Sequence, residues 1–344
     1  QYRNHIFNRM RTVKIAHIVI LLCAFSTGFA QEGFISTSRN MQFINPSYHG
    51  INMVSKAGVY YSQFDYGDGT SYIDNKYLYG NFAFEDMNFS IGLDVNSFSL
   101  TNLGLTENQI DISYIYKIPV NFDTYILGAL SLGIGSQDID KSSLIFQDQI
   151  DLTLGTISGI SRDPLADFSP SANYFDIGAS AMIYNERFLI GLSLDHINTP
   201  NVSFNNESNL EKEIAFSLQA ALEFNVNQYG RSFLPDYSYM MMYFYAQTYG
   251  ETLRIYSSQE LQMDGFCLGI LQSLAKYREN NSLEFGLITG FSSENYRVDL
   301  TYTFPSSQTN FNPPSILQIG VTMDFNRFSR NRRGNYKRLS TDNM

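Results

Sequence analysis

The sequence of 344 residues has no Trp, two Cys and four His, and these scarcities remove whole classes of chemistry. Cys23 falls in an N-terminal stretch expected to be cleaved, so Cys267 has no partner for a disulfide within the mature chain. His5 and His17 fall in the same stretch, and the two that stay, His49 and His196, lie in unrelated contexts. One thiol and two imidazoles do not make a designed zinc site. No GxSxG, HExxH, CxxC or P-loop spacing occurs, so no catalytic residue, no cofactor and no metal are expected. After residues 15–25 no apolar run approaches the roughly 18 residues of a spanning helix, which excludes membrane helices. Positive charge is also scarce. The chain has 23 Lys and Arg against 33 Asp and Glu, and four of the basic residues precede residue 31, which makes nucleic acid a poor partner.

What is present begins with a secretory signal. Arg9, Arg11 and Lys14 precede the apolar run 15–25, and the small residues Gly28 and Ala30 close it before Gln31. The chain starts with Gln, so Met10 is the expected start of translation. Leu22 is too large for a lipoprotein cleavage box ahead of Cys23, so no lipid anchor is expected. The mean hydropathy of −0.18 suits a soluble protein. It also suits a membrane barrel, in which only alternate residues face lipid.

From Asn52 onward the dominant signal is alternation with period two. In SILQIGVTMDF, Leu317, Ile319, Val321, Met323 and Phe325 share one face, while Gln318, Gly320, Thr322 and Asp324 share the other. NYRVDLTYTF and EIAFSLQAALEF repeat the pattern. Fourteen such segments are counted, centred near Tyr60, Leu78, Leu93, Ser113, Ala129, Gly178, Leu192, Leu218, Met242, Ile255, Leu268, Phe285, Leu300 and Gly320. Each is about ten residues long, enough for a tilted strand to cross a bilayer. The fold class expected is therefore all-β, a transmembrane antiparallel barrel of about 14 strands spanning 52–325 behind a cleaved signal at 1–30.

The connections agree with that reading. Tight links at 85–88, 184–187, 263–265 and 292–295 alternate with longer ones at 137–172, 197–210, 275–282 and 305–314, as turns and loops do at opposite ends of outer-membrane barrels. The tight Tyr249-Gly250 link and the long 225–236 link depart from the trend. A weak repeat opens the strands that leave the short-turn end: Asn88 to Leu93, Arg187 to Leu192 and Gly265 to Ile270, with variants at Tyr125 and Tyr296. It places Phe89, Tyr125, Phe188, Phe266 and Tyr296 in an aromatic girdle, and Gly92, Gly128, Gly191 and Gly269 on the lumen side where something packs closely. Ordinary barrel composition accounts for the repeat without shared ancestry. Residues 31–51 lie outside the strand pattern as a possible plug, and residues 326–344 form a basic periplasmic tail with six Lys or Arg and one acid. The tail suits an acidic periplasmic partner or anionic headgroups, or is simply a disordered end.

Asp195 and His196 resemble half of a catalytic site, but neighbours on a regular strand point to opposite faces. Asp195 is expected on the lumen side, and His196 at the rim before Pro200 and Asn201 carry the chain into an extracellular loop. Asp94, Asp111, Asp176, Glu223, Glu284, Asp299 and Asp324 read as solvation of a polar lumen, with Arg254 and Arg297 pairing among them.

The segment Asn45-Pro46-Ser47-Tyr48-His49-Gly50, the stretch Gly191-Leu192-Ser193-Leu194-Asp195-His196 with Pro200-Asn201 after it, and the closing strand 317–325 together resemble the PorP/SprF family of the Bacteroidetes type IX secretion system. The likeness runs over essentially the whole mature chain, and the long basic tail departs from it. It implies a non-enzymatic outer-membrane barrel that works with the secretion and gliding machinery and assists secretion or surface attachment of a large adhesin through that adhesin's C-terminal domain. The matching residues Asn45, Pro46, Tyr48, Gly50, Asp195, His196, Pro200 and Asn201 are then the candidates for partner binding. Expected partners are the secreted surface protein, periplasmic and outer-membrane components of the machinery, and outer-membrane lipid. The rival reading is a channel or transporter for small hydrophobic or polar solutes.

Overall fold

The computed structural model describes residues 37–65, 72–101, 104–140, 149–151, 156–157, 161, 169–204, 209–227, 234–235, 238–277, 280–293, 295–304 and 315–325. The expected signal and the basic tail lie outside the described residues, as do the loop 305–314 and much of 137–172.

Fourteen antiparallel strands close into a barrel. They are β1 (Ser55–Asp65), β2 (Tyr72–Phe84), β3 (Phe89–Leu100), β4 (Leu105–Pro119), β5 (Tyr125–Ile139), β6 (Ser171–Tyr184) and β7 (Phe188–Asp195), followed by β8 (Ala215–Asn225), β9 (Tyr239–Tyr249), β10 (Thr252–Met263), β11 (Phe266–Tyr277), β12 (Asn280–Ser293), β13 (Tyr296–Phe304) and β14 (Ser315–Phe325). All fourteen centres counted in the sequence fall within these strands. Each strand pairs with its neighbour in sequence, and β1 seals the cylinder against β14 from Ser55 opposite Phe325 to Asp65 opposite Ser315. Closure leaves no unpaired edge, so the backbone polar groups of the wall are satisfied within it, as a lipid environment requires. Among the described residues no helix is long and apolar enough to cross a membrane.

The alternation in sequence becomes two faces. Leu130, Leu132 and Ile134 of β5 point outward, with Leu130 63% exposed, while Leu127 on the same strand is fully buried inside. The outward band repeats with Ile110 and Ile112 on β4, Phe285 and Leu287 on β12, and Leu317 and Ile319 on β14. Aromatic rings gather outside at the end of the barrel where β1 begins: Phe84 stacks on Phe89 at 4.6 Å, and Phe266 meets Phe291 at 5.2 Å. Tight turns at this end use Asn88 (φ 55) and Asp264 (φ 52), residue types that tolerate the left-handed region.

Three expectations need correction. Tyr125 leaves the girdle and turns inward onto Tyr184, 5.5 Å away. Gly128 consequently faces outward with open space around it. The phase of β5 is set by Leu127 and Ala129, which pack inside, so both assignments shift by one residue. The stretch 275–282 is no long loop, because β11 runs to Tyr277 and β12 starts at Asn280. The tight Tyr249-Gly250 link is present, with Gly250 at φ 54.

Candidate functional site

The lumen contains residues 37–53, which include α1 (Met41–Ile44) and a 3-10 stretch from Pro46 to Met53. This inner segment crosses from one side of the wall to the other. Its first residues are pinned to β10, β11 and β13: Ser38 Oγ lies 3.3 Å from the Tyr256 hydroxyl, and the Arg39 guanidinium pairs with Glu260 and contacts the Cys267 sulfur. Asp299 lies 3.7 Å from Arg39 Nε. The Arg39 carbonyl accepts from the Tyr60 hydroxyl (2.6 Å) and from Arg297 (2.9 Å). Burial alone lowers the pKa of Arg39, but attraction to Glu260 and Asp299 outweighs it and holds the guanidinium charged, above its ordinary value.

The middle of the segment is held by β7 and β8. Ser193 Oγ donates to the Ile44 carbonyl at 2.7 Å, and Gln219 Nε2 donates to the Met41 carbonyl at 3.3 Å. Asn45 caps the 3-10 stretch by accepting from the Ser47 amide at 3.0 Å, and its Nδ2 donates to the Leu192 carbonyl at 3.2 Å. Pro46 follows, suited to a first helical position because it lacks the N–H that would otherwise be orphaned. The end of the segment then crosses to β2 through β6. Ser47 bonds to Ser180 (2.7 Å), His49 Nε2 lies 2.9 Å from Asp94, and Asn81 Nδ2 donates to the His49 and Val54 carbonyls. Gly50 sits so close to the wall that a Cβ there would lie 2.7 Å from Ile115.

Two wall glycines exist for this contact. A Cβ on Gly92 would meet His49 at 2.5 Å, and one on Gly191 would meet Asn45 Nδ2 at 2.6 Å. Gly269 is tight against Glu260. G191V is therefore expected to leave the wall folded and to loosen the inner segment by about 1–3 kcal/mol. Faster amide exchange across residues 41–50 would register this, and unchanged exchange would contradict it.

On the loop side of the inner segment lies a chamber of about 460 Å³, floored by Gln42, Phe43, Ile44 and Pro46. Its wall is acidic on balance, with Asp94, Glu107, Asp111, Asp176 and Asp195 against the two cations Lys212 and Arg254. Lys212, from the connection between β7 and β8, brings its ammonium to Glu107, 3.0 Å from the Tyr174 hydroxyl. His196 also faces the chamber. Its φ of 59 ends the alternation of β7 and swings the ring inward, so that Nδ1 lies 2.8 Å from Asp176. The expected rim position is thus corrected: Asp195 and His196 line one cavity without bonding to each other, and the acid partner comes from β6. Arg297 pairs with Asp299 at 2.9 Å.

The sequence motif residues therefore separate into two groups. Asn45, Tyr48 and Gly50 are buried in the inner segment, and Pro46 joins the chamber floor. Asp195 and His196 line the chamber, whereas Pro200 is buried and Asn201 exposed at the loop end, where Asn201 pairs with Glu211. Sequence reasoning missed Arg39, Glu260, Glu107 and Lys212. The only signal for Arg39 was a cation in the polar run Thr37-Ser38-Arg39-Asn40 just before an apolar stretch.

A closed wall, an oily outer band with aromatics at one end, and a polar lumen crossed by its own N-terminal segment define an outer-membrane β-barrel protein. The family model for the type IX secretion system membrane protein PorP/SprF matches residues 34–323, and the chain belongs to that family. No match is found among curated proteins. Among solved structures the chain is similar to the CymD monoaromatic hydrocarbon channel, at 12% identity over 88% of this chain and 95% of that one, with a TM-score of 0.51. It is also similar to the Pseudomonas putida toluene transporter TodX, at 10% identity over 83% and 93% of the two chains, with a TM-score of 0.47. At this identity the CymD likeness speaks only to the shared barrel fold.

Proposed function

We propose that this barrel is a non-enzymatic member of the secretion and gliding machinery that assists secretion or surface attachment of a large secreted protein. The observation that carries the reading is the inner segment, which is tied to opposite sides of the lumen by buried hydrogen bonds and an ion pair. A lumen occupied in this way favours work at the ends of the barrel. In this reading the long connections expected at 137–172 and 197–210, which the strand ends bound at 140–170 and 196–214, receive the C-terminal domain of the secreted protein, with Pro200 and Asn201 on the second. The end carrying β1 and the turns faces the periplasm and the other components of the machinery. Asn45, Pro46, Tyr48 and Gly50 act by fixing the segment, and Asp195 and His196 act from the chamber beneath the loops.

Replacing 140–170 with a short Gly-Ser turn tests this, since β5 ends at Ile139, β6 begins at Ser171 and their ladder stays complete. The expected outcome is a heat-modifiable barrel in the outer membrane with surface display of the cargo lost. Display at the native level would overturn the role of the loop.

The second reading, a channel or transporter for small hydrophobic or polar solutes, is favoured by the chamber of about 460 Å³ on the loop side. Its size falls in the ordinary range for small-ligand pockets.

A further inference from the structure

The wall of the chamber puts like charges face to face. Asp94 on β3 stands directly opposite Asp111 on β4, Asp111 opposite Gly133 on β5, and Gly133 opposite Asp176 on β6. Like charges in register destabilise a sheet, so the row works against folding unless something answers it. Some of it is answered internally: Asp94 by His49 and Tyr77, and Asp176 by His196 and Gln109. Asp111 receives only the Gln109 amide, at 3.0 Å, and lies over Gly133, where a Cβ would collide with its carboxylate. Among the described residues no hydrogen bond or ion pair reaches Asp195, which lies against Gly178 on the same wall.

A second, independent feature points to a missing occupant. Asn75 lines the same chamber, is 1% exposed, and neither its Nδ2 nor its Oδ1 finds a hydrogen-bond partner among the described residues. Because both atoms are orphaned, flipping the amide does not help. Asn96 nearby leaves its Oδ1 unpaired as well. A buried amide without partners costs about 1–3 kcal/mol, so such groups are normally met by a ligand or water.

We propose that this chamber binds an organic cation, an ammonium or guanidinium group, held by Asp111 and Asp195 with the side-chain carbonyls of Asn75 and Asn96 as further acceptors. The volume exceeds that of a bare ion, and among the described residues no three His, Cys, Asp or Glu are placed to hold a metal. Phe43, Phe98 and Tyr77 supply apolar and π surface for the stem of such a group. Lys212 already places an ammonium on this wall, paired with Glu107 and 4.5 Å above the Tyr174 ring.

The cation can belong to a free amine or to a Lys or Arg side chain of a protein, and the two are separable. The purified full chain in detergent is titrated calorimetrically with agmatine, with Gly-Gly-Arg-Gly and with Gly-Gly-Gln-Gly. Binding of agmatine or the Arg peptide, no binding of the Gln peptide, and at least roughly tenfold weaker binding by D111N/D195N are expected. Tighter agmatine binding identifies a free amine, and tighter Arg-peptide binding identifies a protein side chain. Two outcomes overturn the proposal: neither cation binds, or a heat-modifiable D111N/D195N barrel binds as the native one does. If that variant does not assemble, N75L serves, with the same loss expected and unchanged binding counting against the site. Loss of cation binding with cargo display intact would leave the docking role standing, and the reverse result would leave the chamber site standing.

Discussion

In R39M, Cys267 is expected to react with a membrane-impermeant maleimide roughly a hundred to a thousand times faster than in the native protein. Cys267 is fully buried and sits against the Arg39 guanidinium, so it reports on the inner segment without an introduced probe. Arg39 and Glu260 are both fully buried, and removing the cation leaves Glu260 as a charge with no water to receive it. Breaking one side of a buried pair typically costs about 3–5 kcal/mol. Part of the Asp299 charge is still met by Arg297, so the loss falls mainly on Glu260. Movement of the segment that admits water relieves it and uncovers the thiol. The double variant R39M/E260Q removes both charges and is expected to bring labelling most of the way back to the native rate. If R39M labels as slowly as the native chain, the pair does not hold the segment.

The second large effect is conduction after deletion of 37–53. The wall is expected to survive the loss, because its ladders run only between strands adjacent in sequence and between β1 and β14. The inside of the barrel changes more. Ile115, Leu127, Met182 and Leu189, which now pack beside the segment, would face water. Each loses part of the about 1.5–3 kcal/mol that burial of a large apolar side chain contributes, so thermal stability falls. The polar half of the lining, including Ser180, Ser193 and Asp94, is already compatible with a water column. Ion current across planar bilayers is then expected to rise roughly tenfold or more over the intact protein. A deletion variant as silent as the parent would show that something other than this segment blocks the lumen.

The barrel wall was legible because each strand has one face in an oily environment and one in a polar lumen, and that contrast is written into every second residue. The exceptions have local causes. Around Tyr125 the inside is as apolar as the outside, since Leu127 and Ala129 pack against the inner segment, and alternation loses its contrast. At 275–282 the strands continue as Lys276 and Asn280 beyond the apolar band, where polar residues look like loop. His196 escaped because a left-handed backbone angle, invisible in a pattern of polarity, reverses which side it faces.

The site was less legible than the fold. Taken singly, Asp94, Asp111 and Asp176 look like lumen solvation, but their meaning lies in cross-strand register, which places them in one row. The contacts of the inner segment join residues far apart in sequence, such as Arg39 with Arg297 and Ser47 with Ser180. No local period announces such pairs, and the segment has no alternation to fix its position. What the sequence did carry was the motif 45–50 itself; the structure uses Asn45 as a cap, with Pro46 after it, to turn the chain across the lumen.

The inner segment occupies the lumen of a membrane barrel, and the proposed role at the barrel ends rests on that occupancy. Single-channel recording of the intact purified protein in planar bilayers tests it most directly. A bilayer that stays near its baseline, and becomes conductive only with the 37–53 deletion, is the expected result. Large, steady, solute-permeable currents from the intact protein would contradict it and make this barrel a channel.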